Sequence, residues 1–212
     1  MQYASKAIIC IFGTGILFYA AVLTAQPADP DNPKFQKAVQ ANAENVNERY
    51  TQKKMKEITQ KSFTFHPIGA FHSPLTRETG APRQGRLAPE IEATIEIAPQ
   101  YENCLKGIEH FSHIFVLFIF DRSKNWSANV HPPNAKQSRG LFSTRSPNRP
   151  NPIGLTAVRL VKREGRILHV SGIDAFDGTP VVDIKPYVGS IDSFPDAAKD
   201  VEEKLGLPRP EK

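Results

Sequence analysis

Cysteine is nearly absent from this chain: its 212 residues include two, Cys10 and Cys104. That excludes a disulfide framework and any zinc site built on cysteines. Cys104 reads as buried filler rather than as a nucleophile. His110 and His113 stand at a helix-like spacing that can present two metal ligands. Neither a third ligand nor a Glu-x-x-His pattern accompanies them, so no metal is expected. A glycine-rich phosphate loop is missing as well. Gly13-Thr-Gly15 lies inside an apolar run and lacks a third glycine at the dinucleotide spacing. No Ser-His-Asp order stands out from the other polar residues, and no catalytic residue is named.

The longest absence is of acid. Between Arg122 and Arg163 there is no Asp or Glu, yet Arg122, Lys124, Lys136, Arg139, Arg145, Arg149, Arg159, Lys162 and Arg163 all fall there. The formal net charge is +5, so the imbalance is local. A polyanion-facing surface needs such a stretch, because each neutralised phosphate releases counterions. Lys136, Arg139 and Arg149 are the candidate nucleic-acid contacts, and a solvated basic face is the alternative. Trp126 and Phe142 lie in the same window. They are candidates to stack on an unpaired base, with core packing the competing reading for Phe142.

Four segments follow from composition. Within residues 1–25, Ala7 to Ala25 is almost wholly apolar, preceded by Lys6 and followed by Gln-Pro-Ala-Asp-Pro. It fits a cleaved signal peptide or an uncleaved membrane anchor. Export, membrane tethering through residues 7–25 and organelle targeting all remain open. Residues 26–61 are rich in Asn, Gln and Lys, with sparse apolar residues at irregular intervals. They read as a polar linker with partial helix. Residues 62–195 form one domain, and 196–212 a charged tail.

The domain is mainly β. Ile91, Ala93, Ile95 and Ile97 alternate with Glu92, Thr94 and Glu96, the pattern of a half-buried strand. His113 to Phe120 is a continuous apolar run suited to burial on both faces. Leu155–Lys162 and Arg166–Ile173 flank Glu164-Gly165 and read as a hairpin. Val181–Val188 is a further strand, which Pro186 pushes toward an edge. Only Asn103 to Phe111 looks helical. Many strands separated by turn signals favour a barrel or a sandwich.

Two blocks carry the chemistry. Arg145-Ser-Pro-Asn-Arg-Pro-Asn-Pro-Ile-Gly154 packs three prolines into six residues, which fixes φ repeatedly and forbids regular hydrogen bonding. Its arginines and asparagines therefore sit on a stiff exposed loop, good material for binding. The second block is Asp177-Gly-Thr-Pro-Val-Val-Asp-Ile-Lys-Pro186. Ahead of them, in order, stand Ile68-Gly-Ala-Phe-His-Ser-Pro74, Ala81-Pro-Arg-Gln84, Leu105-Lys-Gly-Ile-Glu-His-Phe-Ser-His113, Val130-His-Pro-Pro133 and Gly140-Leu-Phe-Ser-Thr-Arg145.

This ordered set, from Phe65 to Pro195, resembles the TrmO family (TsaA-like or YaeB-like). The resemblance implies a small closed β-barrel with a short helix. It also implies an S-adenosylmethionine-dependent methyltransferase acting on N6 of the threonylcarbamoyl-modified adenosine beside the tRNA anticodon. A homodimer, with the cofactor near the subunit interface, is implied too. Carried over by position, the cofactor site comprises Pro82, Arg83, Gln84, Asp121, Arg122, Arg145, Leu155, Asp177, Gly178, Thr179 and Pro180. Asp121-Arg122 departs from the pattern, since many relatives have histidine and a glutamine-like polar residue there. Several bacterial relatives also carry an additional C-terminal domain, which the segment from Asp196 to Lys212 is too short to replace. The apolar leader motivates a second reading: an exported or membrane-tethered barrel that binds S-adenosylmethionine, or another adenosine ligand, without methylating tRNA.

Overall fold

A computed structural model of the chain describes residues 31–44, 52–132, 137–194 and 197. The apolar run 7–25 lies outside the described residues, as do Lys136 and most of the tail. Among the described residues no helix is long and apolar enough to cross a membrane. Two units are present, Met1–Phe63 and Thr64–Lys212.

The first unit contains helices α1 (Pro33–Glu44) and α2 (Gln52–Thr59). Asn32 starts α1, its Oδ1 accepting the Lys34 N–H at 2.9 Å, as a side-chain acceptor must where the first helical N–H groups have no partner. Phe35 and Val39 on α1, and Met55 and Ile58 on α2, are all exposed. The described side chains of these helices form no core.

The second unit is a closed antiparallel barrel. Its strands are β1 (Gly69–His72), β2 (Glu92–Ile97), β3 (His113–Ile119), β6 (Ile153–Glu164), β7 (Ile167–Ser171) and β8 (Pro180–Pro186). They run in the order β1-β2-β7-β6-β3-β8, and β8 closes on β1. A separate ladder joins β4 (Asn129–Val130) to β5 (Arg139–Gly140). Alternation decides what is inside. Phe71, Ile95, Ile97, Ile114, Val116, Phe118, Val158, Leu168, Val170 and Val181 point inward and are buried. Closure leaves no unpaired edge, which an open sheet of this size would expose.

Four expectations need correction. β3 is not buried on both faces: Ile114, Val116 and Phe118 face the core, while Phe115, Leu117 and Ile119 are half-buried outside. β8 is not an edge strand, because it pairs with β1 at Pro180–Val181 and with β3 as far as Pro186, although at Pro186 itself β3 is the partner on one side alone. Pro186 sits at the last residue of the strand, where a missing N–H interrupts nothing further along. Asn103–Phe111 is not a helix. Two 3-10 segments, Pro99–Leu105 and Ile108–His110, flank Gly107, whose φ of 87° is left-handed and breaks any continuous helix. Cys104 lies on the first of these and is exposed rather than buried.

The glycine of the proline block has a steric reason. Gly154 pairs with Phe118 across β6 and β3, and a Cβ at 154 would collide with the Phe118 ring. That ring meets Phe71 edge-on at 5.8 Å and Phe120 at 5.0 Å. Gly154→Ala is therefore expected to cost about 1–3 kcal/mol, as overpacking of a filled core does. Urea unfolding of a double-mutant cycle checks it: in a Phe118→Leu background the same alanine should cost clearly less. Equal cost in both backgrounds would show the collision to be unimportant.

Candidate functional site

Antiparallel order brings the motif-bearing loops to one rim of the barrel. β1 ends at His72 where β2 begins, and β7 ends at Ser171 opposite Glu92. β3 ends at Ile119, opposite Ile153 at the start of β6. Phe118 pairs with Val181 near the start of β8. Residues 73–91, 120–132, 137–152 and 172–179 therefore all emerge at the same end. The charged hairpin tip at Glu164-Gly165 is at the other.

Two side-chain contacts tie the rim together. The first joins the end of β3 to the Asp177 turn. Arg122 Nη2 donates to the Asp177 carbonyl at 2.6 Å, and its guanidinium lies 6.0 Å from the centre of the Phe176 ring. Asp177 Oδ1 accepts the Ser73 N–H at 3.1 Å. Gly178, at φ 73°, lets the chain reverse so that its N–H reaches the Phe71 carbonyl at 2.9 Å. A Cβ on Gly178 would also approach Arg122 Nη2. The second contact joins Arg145 to the 82–84 loop, with Arg145 Nη1 donating to Gln84 Oε1. The Gln84 amide in turn donates to the Arg83 carbonyl at 2.6 Å.

The proline loop is laced to the end of β3. Ser123 Oγ donates to the Pro147 carbonyl at 2.6 Å, and the Lys124 N–H to Asn148 Oδ1 at 3.0 Å. Arg149 turns back on its own loop, donating to the Thr144 carbonyl at 2.9 Å. Its guanidinium stacks 5.5 Å from the Phe142 ring centre. Phe142 is 79% exposed and Trp126 54%, so neither is core.

The sequence-derived residues divide. Arg122, Asp121, Asp177 and Gly178 meet, as do Gln84 and Arg145. Pro82 and Arg83 belong to the Gln84 loop, and Pro180 opens β8 opposite Ala70. Thr179 is buried, its N–H bonded to the Phe176 carbonyl, so it shapes the turn. Leu155 stands apart: it projects from the outer face of β6, paired with Leu117, and is 56% exposed. Arg139 lies on β5 against Val130. The acid-free window also divides. Lys162 Nζ reaches Glu164 Oε1 at 2.6 Å and Arg163 reaches Glu109 Oε2 at 3.5 Å. That end of β6 is compensated by acids outside the window.

Asp174 was not among the residues read from sequence. It lies between buried Ile173 and Ala175, three residues before Asp177. Burial pushes its carboxyl above the ordinary aspartate value, opposed by hydrogen bonds from Thr156 and the Gly85 N–H and by the charge of Arg145. Its Oδ1 is enclosed and has no hydrogen-bond partner. An acid flanked by apolar residues was the available signal.

Residues 70–193 match the family profile described as the tRNA-methyltransferase O N-terminal domain. The chain belongs to that family. A probable S-adenosyl-L-methionine-binding protein of Pyrococcus abyssi is 45% identical over 128 residues, covering 60% of this chain and 70% of that one. One of the same description from Methanothermobacter thermautotrophicus is 47% identical, over 65% of this chain and 98% of its own. The mouse tRNA (adenine(37)-N6)-methyltransferase is 43% identical over 60% of this chain, which spans only 31% of that protein. A crystal structure of TrmO superposes with a TM-score of 0.57 at 38% identity, over 66% of this chain and 64% of that one. This TrmO-family barrel is thus shared with proteins that are often considerably longer.

If Arg122 holds the Asp177 turn, Arg122→Ala should loosen that turn alone. Losing one hydrogen bond worth about 0.5–1.5 kcal/mol predicts up to roughly tenfold faster amide exchange at Gly178 and Thr179. The β6–β7 hairpin should exchange as before. Uniform acceleration across the barrel would instead make Arg122 a global stabiliser.

Proposed function

We propose that this chain is an S-adenosylmethionine-dependent methyltransferase acting on N6 of threonylcarbamoyl-modified adenosine beside the tRNA anticodon. The single observation that carries the reading is the rim where the Gln84–Arg145 and Arg122–Asp177 contacts gather the family's loops. It is supported by family membership and by relatives named as S-adenosylmethionine-binding proteins and as tRNA (adenine(37)-N6)-methyltransferases.

The donor set suits the cofactor. Arg122 and Arg145 offer guanidiniums, and Asp121 and Asp177 carboxylates. A molecule carrying carboxylate, ammonium, ribose hydroxyls and adenine can use all of these. When bound, S-adenosylmethionine supplies a methyl group already activated by its sulfonium, so the protein need provide neither metal nor strong base. What the chain contributes is orientation. Arg145 is anchored at Gln84 and stands on the stiff proline loop, and Asp177 is fixed through Ser73 and Arg122, so that little freedom is lost on alignment. Basic residues of the same rim face the phosphates, and Phe142, backed by Arg149, offers a ring to an unpaired base.

A second copy of the chain completes the proposal. Leu117 with Leu155 and Ile119 with Ile153 form an apolar stripe outside β3 and β6, where Leu155 is 56% and Ile153 40% exposed. Pairing of two such stripes covers them, and it accounts for Leu155 among residues assigned to the site.

Titrating the full-length chain with S-adenosylmethionine by calorimetry, then measuring single-turnover transfer to tRNA, tests the reading. Binding without transfer would favour a ligand-binding barrel, and no binding at millimolar cofactor would remove both. Arg145→Ala is expected to slow transfer by about 10–100-fold, the worth of an oriented charge-assisted contact. Its thermal midpoint should barely move, because truncating an exposed side chain leaves no cavity. A lowered midpoint with an unchanged rate would make Arg145 structural.

Affinity for tRNA should also fall steeply with salt. About four phosphate contacts give a slope of log K against log salt near −3 to −4. Lys136→Glu with Arg139→Glu should flatten it, and an unaffected slope would return the window to a solvated basic face.

A further inference from the structure

We infer that Trp126 and Phe142 form a two-ring platform for unpaired RNA bases, and that Pro147, Asn148 and Arg149 of the proline loop hold it in shape. The inference rests on the proposed reading of tRNA as the substrate, and it assigns the contacts that grip an unpaired stretch. Three observations converge on it.

The first is that both rings stand in water at one end of one ribbon. Phe142 is 79% exposed and Trp126 54%. Phe142 lies in the 3-10 segment Leu141–Ser143, whose first residue, Leu141, is buried and anchors the turn. Packing therefore makes no use of the ring beside it. The Leu141 N–H donates to the Ala128 carbonyl at 2.8 Å, one step beyond the Asn129–Gly140 pair of β4 and β5. Trp126 precedes that link by two residues and Phe142 follows it by one. A lone exposed ring is ordinary, whereas neighbouring ones mark a surface that meets something.

The second is that one short stretch holds both. Ser123 Oγ donates to the Pro147 carbonyl at 2.6 Å, and the Lys124 N–H to Asn148 Oδ1 at 3.0 Å. With the Ala128 link on its other side, Trp126 is tethered two residues away in each direction. Arg149, next along, sets its guanidinium 5.5 Å from the Phe142 ring centre and donates to the Thr144 carbonyl at 2.9 Å. Ser143 Oγ and Thr144 Oγ1 close the Phe142 turn, donating to the Gly140 and Leu141 carbonyls at 2.7 Å each. A surface fixed in advance loses little freedom when a ligand settles on it.

The third is charge. Arg163 and Arg166, on the barrel wall, pair with Glu109 and Glu96. Among the described residues Lys124, Arg145 and Arg149 form no ion pair. Arg145 bonds the neutral Gln84 amide, and Arg149 the carbonyls of its own loop. An apolar protein surface seated on the rings would leave these cations uncompensated, whereas a nucleic-acid strand brings phosphates to them. One face of Phe142 is backed by a guanidinium, so the other is open to a planar group. Every base has such a face, and in a single strand it is accessible, as it is not inside a duplex.

Trp126 is the only tryptophan of the chain, so its fluorescence reports this place alone. The test titrates the full-length chain, without cofactor, with a short oligoadenylate RNA and with the same strand annealed to oligouridylate. The single strand should quench Trp126 saturably and bind at least about tenfold tighter than the duplex, the worth of one base–ring stack. Phe142→Ala, which keeps the reporter, should weaken binding about tenfold without moving the thermal midpoint. Phe142→Tyr should bind as wild type does, and Phe142→Leu should not. In the unliganded Asn148→Ala chain, Trp126 should show a faster anisotropy decay, because its tether at Lys124 is lost.

Equal quenching by strand and duplex would overturn the inference, since the face would then be a plain basic surface. Full affinity in Phe142→Leu would overturn it too, because stacking needs a flat ring. An unchanged anisotropy decay in Asn148→Ala would remove the supporting role of the proline loop. Methyl transfer to tRNA by wild type, with Trp126 fluorescence unaltered, would overturn the platform and leave the methyltransferase reading intact. Quenching by the single strand in a chain that binds no S-adenosylmethionine would overturn that reading and leave the platform standing.

Discussion

The Phe118 ring is the constraint on which the rim depends. It sits where four strands meet: on β3, edge-on to Phe71 of β1, opposite Gly154 of β6 and beside Val181 of β8. Its volume is admitted only because residue 154 lacks a Cβ. With that ring in place, the two chain segments that follow it in space, the Asp177 turn and the proline loop, rest on a filled floor. Close packing makes such a floor stiff, since an interior packed at crystal density transmits displacement instead of absorbing it. The polar contacts above it are individually modest. They hold one geometry because what lies beneath them cannot give.

Charge follows the same architecture. Acids and bases outside the rim pair off on the outer surface: Glu96 with His72 and Arg166, Glu164 with Lys162 and His169. Both glutamates are held below their ordinary pKa, first by those side-chain hydrogen bonds. Such exposed pairs add little to stability. Their effect is to neutralise charge locally on the sides of the barrel. Asp174 is the exception, an acid carried inside beneath a basic surface.

Much of this was legible in the chain. The alternation of Ile91–Ile97 marked β2, and Glu164-Gly165 marked the β6–β7 hairpin, because period two and a turn residue are local signals. β1 was visible only as part of a motif, since its four residues offer one fully buried side chain, Phe71. The supposed helix at 103–111 failed at Gly107, where one left-handed residue outweighs the propensity of its neighbours. Phe142 was legible as a candidate stacking ring but not as an exposed one, since exposure is set by what the rest of the fold covers. The rim contacts could not be read locally at all. Arg122 and Asp177 are 55 residues apart and Gln84 and Arg145 are 61 apart, so only closure of the barrel introduces them. Leu155 shows the converse limit, because position in a motif does not say which side of a strand it occupies.

Barrel closure also has a consequence for the order of events during synthesis. β1 is the first barrel strand to be made, and one of its two partners, β8, is the last. A nascent chain that has reached β7 can already pair β1 with β2, β2 with β7, and β6 with both β3 and β7. β1 and β3 then still present open edges, and each is a template for another chain. Only the emergence of residues 180–186 removes both at once, and the loop it must close spans most of the domain. The finished barrel therefore has no edge, whereas its precursor has two, and the interval between them is set by the ribosome rather than by the fold.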